Sequence, residues 1–195
     1  MMPTDIHIPG NSGTGWRAFT SAWQVRDLVM LGVFSAAAKV STLFVALIGG
    51  GLNPISLMAK NCVFTTLLLV LLFKVRRPGA LSLFMVVNFL ISLLLLGGSV
   101  TLLVPLVIGA VLAEGAILVC GGIGRPWGPF VGVAVYDCIS KLSSLGVTWI
   151  VSRENPALLY IVVPFVAFGY LGSIAGLFTG YKAVKELRRA GLAVY

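Results

Sequence analysis

Long apolar stretches occupy most of this chain and restrict the folds open to it. Six of them lie near the length of about 20 residues that a helix needs to cross the hydrocarbon core of a bilayer. Only 10% of the 195 residues are charged and the mean hydropathy is +1.04, whereas soluble domains carry about 25% charged residues. The pattern predicts an all-α integral membrane protein with spans at residues 27–48, 56–73, 80–97, 101–120, 130–150 and 158–181.

The basic residues lie mainly at the ends of the apolar runs, which gives an orientation. With six spans, nearly all basic loop residues fall on one side and only Arg153 falls on the other. Cytoplasmic loops of membrane proteins are enriched in Lys and Arg, so both termini are predicted to be cytoplasmic. The net charge of +8 is spread over loops, which argues against a nucleic-acid interface. The predicted organisation is a flexible N-terminal tail (1–22), a membrane domain (23–182) and a basic C-terminal tail (183–195).

Ionisable side chains inside the spans are candidates for function, because a lysine at the centre of a membrane helix costs roughly 3 kcal/mol even on the mildest scale. Three lysines and two acids lie there, and two asparagines add amide groups at similar depth; they are Lys39, Lys60, Lys141, Glu114, Asp137, Asn61 and Asn88. With the predicted orientation, the lysines map to the extracellular half and the acids nearer to mid-depth.

Two interpretations of these charges stay open. In the first they pair internally, Asp137 with Lys141 at a spacing of four residues and Glu114 with Lys39 or Lys60, and only hold the bundle together. In the second they line an outward-facing pocket. Three cations against two anions then leave one cation for an anionic ligand group. A proton or ion path is a less favoured third interpretation, since it needs a longer series of acids.

Small residues recur at four-residue spacing in the first and sixth spans. Gly32 with Ala36, and Ala37 with Ser41, offer a surface on which another helix can approach closely within lipid. In the sixth span, Gly172, Gly176 and Gly180 form a ridge of the kind that packs against a neighbouring helix. The segment after it, 182–192, has the pattern of a basic amphipathic helix on an anionic membrane surface.

No catalytic motif is present. The sequence has no nucleophile elbow, phosphate-binding loop, zinc-binding helix motif or paired carboxylates. The three cysteines lie in apolar runs without metal-ligand spacing, and the only histidine is in the N-terminal segment. The chain is therefore predicted to be neither an enzyme nor a metal or cofactor binder, and to need partners if ATP powers its work.

Both ends of the chain resemble a known class of membrane proteins. The start, Val25-Arg26-Asp27-Leu28 leading into residues 32–37, resembles that of the substrate-binding S components of energy-coupling factor (ECF) importers, and is most similar to the Trep_Strep subgroup. The ending supports this with Gly-Tyr-Leu-Gly-Ser-Ile-Ala-Gly at 169–176 and Arg-Ala-Gly-Leu at 189–192. The resemblance covers about residues 24–193.

The resemblance implies a specific mechanism. S components in a prokaryotic cell membrane bind a vitamin, cofactor precursor or metal species from outside and dock on a transmembrane T component driven by two ATPases. Docking uses an alanine-x-x-x-alanine pattern on the first helix, for which Gly32/Ala36 and Ala37/Ser41 are the matching positions. The whole S component topples, and the loop after the first span, here Gly49 to Asn53, acts as a gate.

The resulting hypothesis is an S component that captures a small, anionic micronutrient. The residues expected to contact the ligand are Lys39, Lys60, Lys141, Asn53, Asn61, Asn88, Glu114 and Asp137. The alternatives are a membrane scaffold or assembly subunit with purely structural charges, and a solitary ion-coupled carrier. Replacing Lys39 or Lys141 with Met is expected to weaken ligand binding, measured on purified protein, without unfolding the bundle; binding that survives both changes would exclude the cationic pocket.

Overall fold

Six helices make up all the regular secondary structure in the part of the chain that the structure, a computed structural model, describes: residues 23–49, 53–96, 103–125, 127–151 and 157–190. The helices are α1 (Val25–Gly49), α2 (Pro54–Lys74), α3 (Ala80–Leu96), α4 (Leu103–Val119), α5 (Trp127–Val151) and α6 (Ala157–Arg189). The prediction of an all-helical protein is confirmed, and each predicted span overlaps one helix. The predicted N-terminal tail lies outside the described residues.

Four of the helices are long and apolar enough to cross a membrane. These segments are Val25–Gly49, Pro54–Lys74, Trp127–Ile150 and Val162–Arg189. The described parts of α3 and α4 have 17 residues each, or about 25 Å of helix, which is at the lower limit for a span. The connection between them, 97–102, lies outside the described residues. Six spans and cytoplasmic termini therefore remain a prediction.

The helices form a closed ring in the order α1, α2, α6, α5, α4, α3 and back to α1. In addition, α2 contacts α5 and, more weakly, α3, so it has the most neighbours. Large apolar side chains cover the outside, among them Val33 and Phe44 on α1, Val111 on α4 and Leu171 on α6. Such an exterior is expected where the solvent is lipid.

Side-chain contacts show that successive helices run in opposite directions. The hydroxyl of Ser56 at the start of α2 donates to the carbonyl of Gly49 at the end of α1 (2.9 Å). At the other end of the bundle, Asp27 near the start of α1 pairs with Arg77 just before α3 (3.4 Å). Among the later helices, Glu114 near the end of α4 binds the start of α3, and Ile117 lies against Gly132 near the start of α5. We call the end that holds the starts of α1, α3 and α5 the basic end, and the opposite end the far end.

The basic end is named for its side chains. The described basic residues outside the middles of the helices all lie there, at the starts of the odd-numbered helices, at the ends of the even-numbered ones and in the connections between them: Arg26, Lys74, Arg76, Arg77, Arg125, Lys182, Lys185, Arg188 and Arg189. This is the segregation on which the predicted orientation depends. The other two residues used in that argument, Arg17 and Arg153, lie outside the described residues.

Helices α2 and α6 run parallel and make the most extensive contact in the bundle. The contact follows the predicted glycine ridge: Gly172 lies against the backbone of Met58, Gly176 against that of Cys62, and Gly180 one turn further along α2. A Cβ atom at Gly172 or Gly176 would collide with main-chain atoms of α2. The ridge is thus internal packing, as predicted, and it brings two backbones together at the spacing that small residues permit.

Tight packing is concentrated in the half of the bundle nearer to the basic end. The buried apolar residues cluster at 68–75 of α2 and the following connection, and at 80–85 of α3, with contributions from α4, α5 and the last turns of α6 such as Val184. In the far half of α2, Ser56 is the one fully buried residue described before Thr65. Pro164 also lies in the far half of α6, where it removes a helical hydrogen bond.

Helix α6 continues past the predicted end of the membrane domain. It runs without a break through residue 182 to Arg189, and Val184 is 4% exposed. The beginning of the predicted basic tail is therefore packed against the bundle. Residues 191–195 lie outside the described residues.

We expect Gly172→Ala to destabilise the bundle by about 1–3 kcal/mol, because the added methyl group meets the Met58 carbonyl and forces α2 and α6 apart. The free energy of unfolding is measured by circular dichroism during titration of detergent-solubilised protein with SDS. The control is Gly146→Ala on α5, where an added Cβ meets nothing within 4 Å. Equal losses for the two variants would contradict close packing at the ridge.

Candidate functional site

Four side chains join α2, α5 and α6 in the middle of the bundle, and we call them the polar junction: Thr65, Asp137, Lys141 and Ser173. The Thr65 hydroxyl donates to Oδ2 of Asp137 (2.8 Å). The other carboxylate oxygen lies 3.9 Å from Nζ of Lys141, and Nζ donates to the Ser173 hydroxyl (2.8 Å). The predicted pairing of Asp137 with Lys141 is confirmed.

The polar junction is secluded from solvent. Asp137 is 4% exposed, and Thr65 and Ser173 are buried as well, while the Lys141 side chain keeps 18% of its surface exposed. A buried carboxylate is tolerated when a cation and hydrogen-bond donors surround it. Asp137 has both, because the four-residue spacing places Lys141 one turn away and α2 supplies the Thr65 hydroxyl.

Asn61 and Lys141 adjoin on the side of the junction that faces the far end. A Cβ atom added to Gly169 would lie 2.9 Å from Nδ2 of Asn61 and 3.5 Å from Cε of Lys141. Asn61 is partly buried, and its amide donates to the Leu57 carbonyl (3.0 Å). The absence of a side chain at Gly169 is what allows these two polar groups to lie directly against α6. The structure thus brings together three of the predicted ligand residues: Asn61, Asp137 and Lys141.

Lys39 and Lys60 lie apart from the polar junction, towards α1. Ser56 contacts the end of α1, and Lys60 follows it by four residues on the same face of α2. Lys39 is on α1, four residues after the buried Ser35. Both lysines are partly buried, and among the residues described neither ammonium group has an ion pair or hydrogen bond.

Two further polar groups, one on α1 and one on α3, lack partners. The Ser35 hydroxyl and the Asn88 amide nitrogen are buried with no hydrogen-bond partner in the described part of the chain. Their residues are 0% and 4% exposed, and both lie about 12–15 Å along their helices from the basic end. Unpaired buried polar groups carry a free-energy cost of about 1–3 kcal/mol each, so α1 and α3 each have unused hydrogen-bonding capacity at this depth.

Two of the predicted ligand residues have structural roles elsewhere. Glu114 accepts a hydrogen bond from the backbone N–H of Ser82 in the first turn of α3 (2.9 Å), at the basic end, and not at mid-depth with Lys39 or Lys60. A carboxylate is stabilised there because the first N–H groups of a helix have no helical partners. Asn53 is the N-cap of α2 and accepts from the N–H of Ile55 (3.2 Å); the neighbouring residues 50–52 of the predicted gate lie outside the described residues.

The small residues of α1 lie at the outer surface of the bundle. Ala36 and Ala37 are exposed, Ser41 is partly exposed, and an added Cβ at Gly32 would meet nothing within 4 Å. The inward face of α1 instead carries Asp27, Leu31, Ser35 and Ala38. The four predicted interface residues are therefore available to a neighbouring protein, or to lipid.

Two cavities lined by described residues lie at the basic end. One of about 500 Å³ is formed by aromatic and basic side chains of α2, α5 and α6. The other, of about 280 Å³, lies between the 76–81 segment and the connection from α4 to α5. Within the described ranges, no three His, Cys, Asp or Glu side chains come together in a way that would hold a metal ion.

Sequence reasoning missed Thr65, Ser173, Ser35 and the aromatic cavity. Thr65 has a usable signal, because it follows Asn61 by four residues and so shares its helix face. Ser173 lies next to the glycine ridge, so its position in the sequence indicates a small residue in a helix contact and gives no sign of a hydrogen bond to Lys141. Ser35 gives no distinguishing signal, since isolated serines are common in membrane helices.

A family model described as a hypothetical bacterial integral membrane protein (Trep_Strep) matches residues 25–159, which include α1 to α5. The chain belongs to this family. No curated protein and no solved structure gives a significant match. The Trep_Strep part of the predicted resemblance is thus confirmed, and the assignment to ECF S components stays a prediction. Together with the apolar helices, membership makes this Trep_Strep protein an integral, multi-pass membrane protein.

We expect Asp137→Asn and Lys141→Met each to lower the free energy of unfolding by about 3–5 kcal/mol, because each leaves the buried charge of the other residue without its counter-charge. The double variant is expected to lose less than the sum of the two. Coupling is measured by SDS unfolding of all four proteins. Glu186→Gln and Arg189→Gln, which remove an exposed pair (3.1 Å), are the control and should show little coupling. Additive losses at Asp137 and Lys141 would contradict the junction.

This pairing changes what Lys141→Met can test. The sequence alone predicted that the variant would keep its fold and lose ligand binding, whereas the structure predicts a loss of stability from the uncompensated, buried charge of Asp137. Lys39 and Lys60, which have no described partner, are the cleaner positions for testing a ligand contact.

Proposed function

We propose that this Trep_Strep protein is the substrate-capture S component of an ECF-type importer, with six spans and both termini in the cytoplasm. The observation that carries the proposal is the pair of partly buried lysines, Lys39 and Lys60, that have no described partner in a membrane bundle. A lysine at such depth is costly unless it meets a counter-charge. An anionic ligand supplies that charge.

The charge balance supports an anionic ligand. Lys141 is compensated by Asp137, and Glu114 binds the start of α3 instead of neutralising a lysine. Two positive charges therefore remain, one more than the sequence alone indicated. Asn61 and Asn88 add amide groups, which suit a ligand that combines carboxylate or phosphate groups with neutral hydrogen-bonding atoms. A vitamin, a cofactor precursor and a tetrapyrrole or metal chelate all belong to this class.

The exposed small residues of α1 support docking on a T component. Gly32, Ala36, Ala37 and Ser41 lie where a helix of another protein can approach the backbone closely, and the bundle itself does not use them. In the proposed mechanism, the S component binds its ligand from outside and hands it over after docking. The chemistry of transport, ATP hydrolysis, belongs to two partner ATPases. The chain itself performs no catalysis and binds no cofactor.

A membrane scaffold is the second candidate, and one observation favours it. The polar junction is a closed set of contacts with a clear structural purpose, since it joins three helices through one buried carboxylate. A scaffold would need Lys39 and Lys60 only at an interface with its partner. A solitary carrier is a third possibility, and it would move its substrate in vesicles that contain no ATPase.

Ligand capture is tested by native mass spectrometry of protein expressed with the ECF module of its host. We expect a bound small molecule that is lost from Lys39→Met and from Lys60→Met, because each removes a cation that has no other described partner. The control is Lys182→Met, an exposed lysine at the basic end. Protein that is empty in every preparation, or that keeps its ligand in both variants, would favour the scaffold.

Docking is tested separately by co-purification with the T component and ATPases. Ala36→Leu is expected to reduce recovery of the complex about tenfold, since a bulky side chain blocks close helix approach, and to leave ligand binding and folding intact. Ala167→Leu, at an exposed alanine of α6, is the matched control. Equal recovery from the two variants would exclude this face of α1 as the docking site.

A further inference from the structure

The 500 Å³ cavity at the basic end is an open groove with an aromatic lining. Its base is formed by the buried side chains of Phe73 and Val184. Trp127 and Phe130 of α5 form one wall, with their rings edge to face at a centroid distance of 6.1 Å, and α6 forms the other. The residues that line it are Phe73, Trp127, Phe130, Phe178, Tyr181, Val184, Lys185 and Arg188.

The apolar surface of the groove is left uncovered by the described chain. Trp127 is 70% exposed and Phe178 is 65% exposed, although both border a cavity in the size range of ligand sites. Tyr181, 57% exposed, has a ring suited to the apolar side and a hydroxyl suited to water. Aromatic rings of this kind are enriched where a membrane protein crosses the headgroup region.

The groove has a positively charged rim. The Arg188 guanidinium lies over the Phe73 ring, 5.4 Å from its centroid, which holds it beside the apolar base. Lys185 lies one turn earlier on α6, also exposed. No acidic side chain is among the described lining residues, and nearby Glu186 is paired with Arg189. The groove therefore combines two cations at one edge with aromatic surface along its length.

We propose that this groove is a binding site for an anionic phospholipid. Its phosphate group is held by Lys185 and Arg188, and its acyl chains lie against Trp127, Phe130 and Phe178. Two observations favour a phospholipid as the occupant of the groove: the positive charge of the rim and the position of the groove in the bundle. A phosphate needs the cations of the rim, and the groove lies beside Lys74 at the end of α2, where a bilayer that covers the apolar helices would place its headgroups.

The site would bind the basic end of the bundle to a particular lipid and not only to the bilayer in general. Diffuse attraction between basic residues and an anionic surface depends on the number of charges near it and is indifferent to their arrangement. A groove distinguishes between lipids, because its two rim cations contribute more to the binding of the anionic lipid than two other cations on the same helix. This difference separates the proposal from ordinary membrane electrostatics, and it does not depend on the importer function.

The test is tryptophan quenching in vesicles of phosphatidylcholine with a minor fraction of lipid carrying brominated acyl chains, either phosphatidylglycerol or phosphatidylcholine. The fluorescence quenching that is due to Trp127 is obtained by subtracting the quenching of the Trp127→Phe variant from that of the parent protein. We expect brominated phosphatidylglycerol to quench it at a lower mole fraction than brominated phosphatidylcholine. Neutralising the rim with Lys185→Gln and Arg188→Gln together is expected to lower this selectivity roughly tenfold.

The matched control is Lys182→Gln with Arg189→Gln, which changes the net charge equally, on the same helix, outside the groove. It is expected to retain the selectivity. An equal loss in both double variants would overturn the proposal in favour of diffuse attraction. Equal quenching by the two lipids would overturn it in favour of ordinary surrounding lipid, and a Trp127 that neither lipid quenches would show the groove covered by protein, such as a second copy of the chain.

Folding of the rim variant is checked by circular dichroism, because Arg188 also contacts the Phe73 ring. If that variant unfolds, Lys185→Gln alone carries the test, since the Lys185 side chain has no described partner to lose. Unchanged selectivity in Lys185→Gln would then count against the site.

Discussion

Close contact between α2 and α6 is the constraint on which the rest of the bundle depends. Two backbones approach along Gly172, Gly176 and Gly180, and this fixes α2 as the helix with the most neighbours. Thr65 of α2 reaches Asp137 of α5, and both of these helices also pack against α6. The polar junction, the close contact of Asn61 with Gly169 and the aromatic groove are all formed by residues of α2, α5 and α6.

The half of the bundle near the basic end and the half near the far end differ in their packing. Towards the basic end, leucine-rich turns of α2 and α3 form a dense core. Towards the far end, Lys39 and Lys60 are partly buried and have no described counter-charge. The polar junction lies between the two halves. A charged ligand group in the far half would therefore lie next to Asp137 and Lys141, which already compensate each other. The two halves therefore differ both in how densely they are packed and in how completely their polar groups are paired.

Much of the fold was predictable because the signals for it are local. The lengths of the apolar runs place the helices to within a few residues, except that α6 continues past the predicted span end at 181 to Arg189. The spacing of four predicts the pairing of Asp137 with Lys141, and the glycine ridge predicts close helix packing. The site was less predictable, because it depends on which helices meet. Glu114 was assigned to the lysines by charge alone, but the free N–H groups at the start of α3 provide a nearer site for its carboxylate. The aromatic groove draws its residues from three helices that are distant in sequence, and no single stretch indicates it.

The uneven packing of α2 also has a consequence for how the protein moves. Its second half lies in the dense core, whereas its first half is bordered by polar, partly buried positions and by the part of α6 that Pro164 interrupts. Local opening costs least where few apolar contacts are lost. Backbone amides of a single helix should therefore exchange with deuterium at two very different rates, with the change near Thr65. Helix α2 is thus expected to be rigid near the basic end and more mobile near the far end. The far end can then rearrange without disturbing the dense core of the bundle.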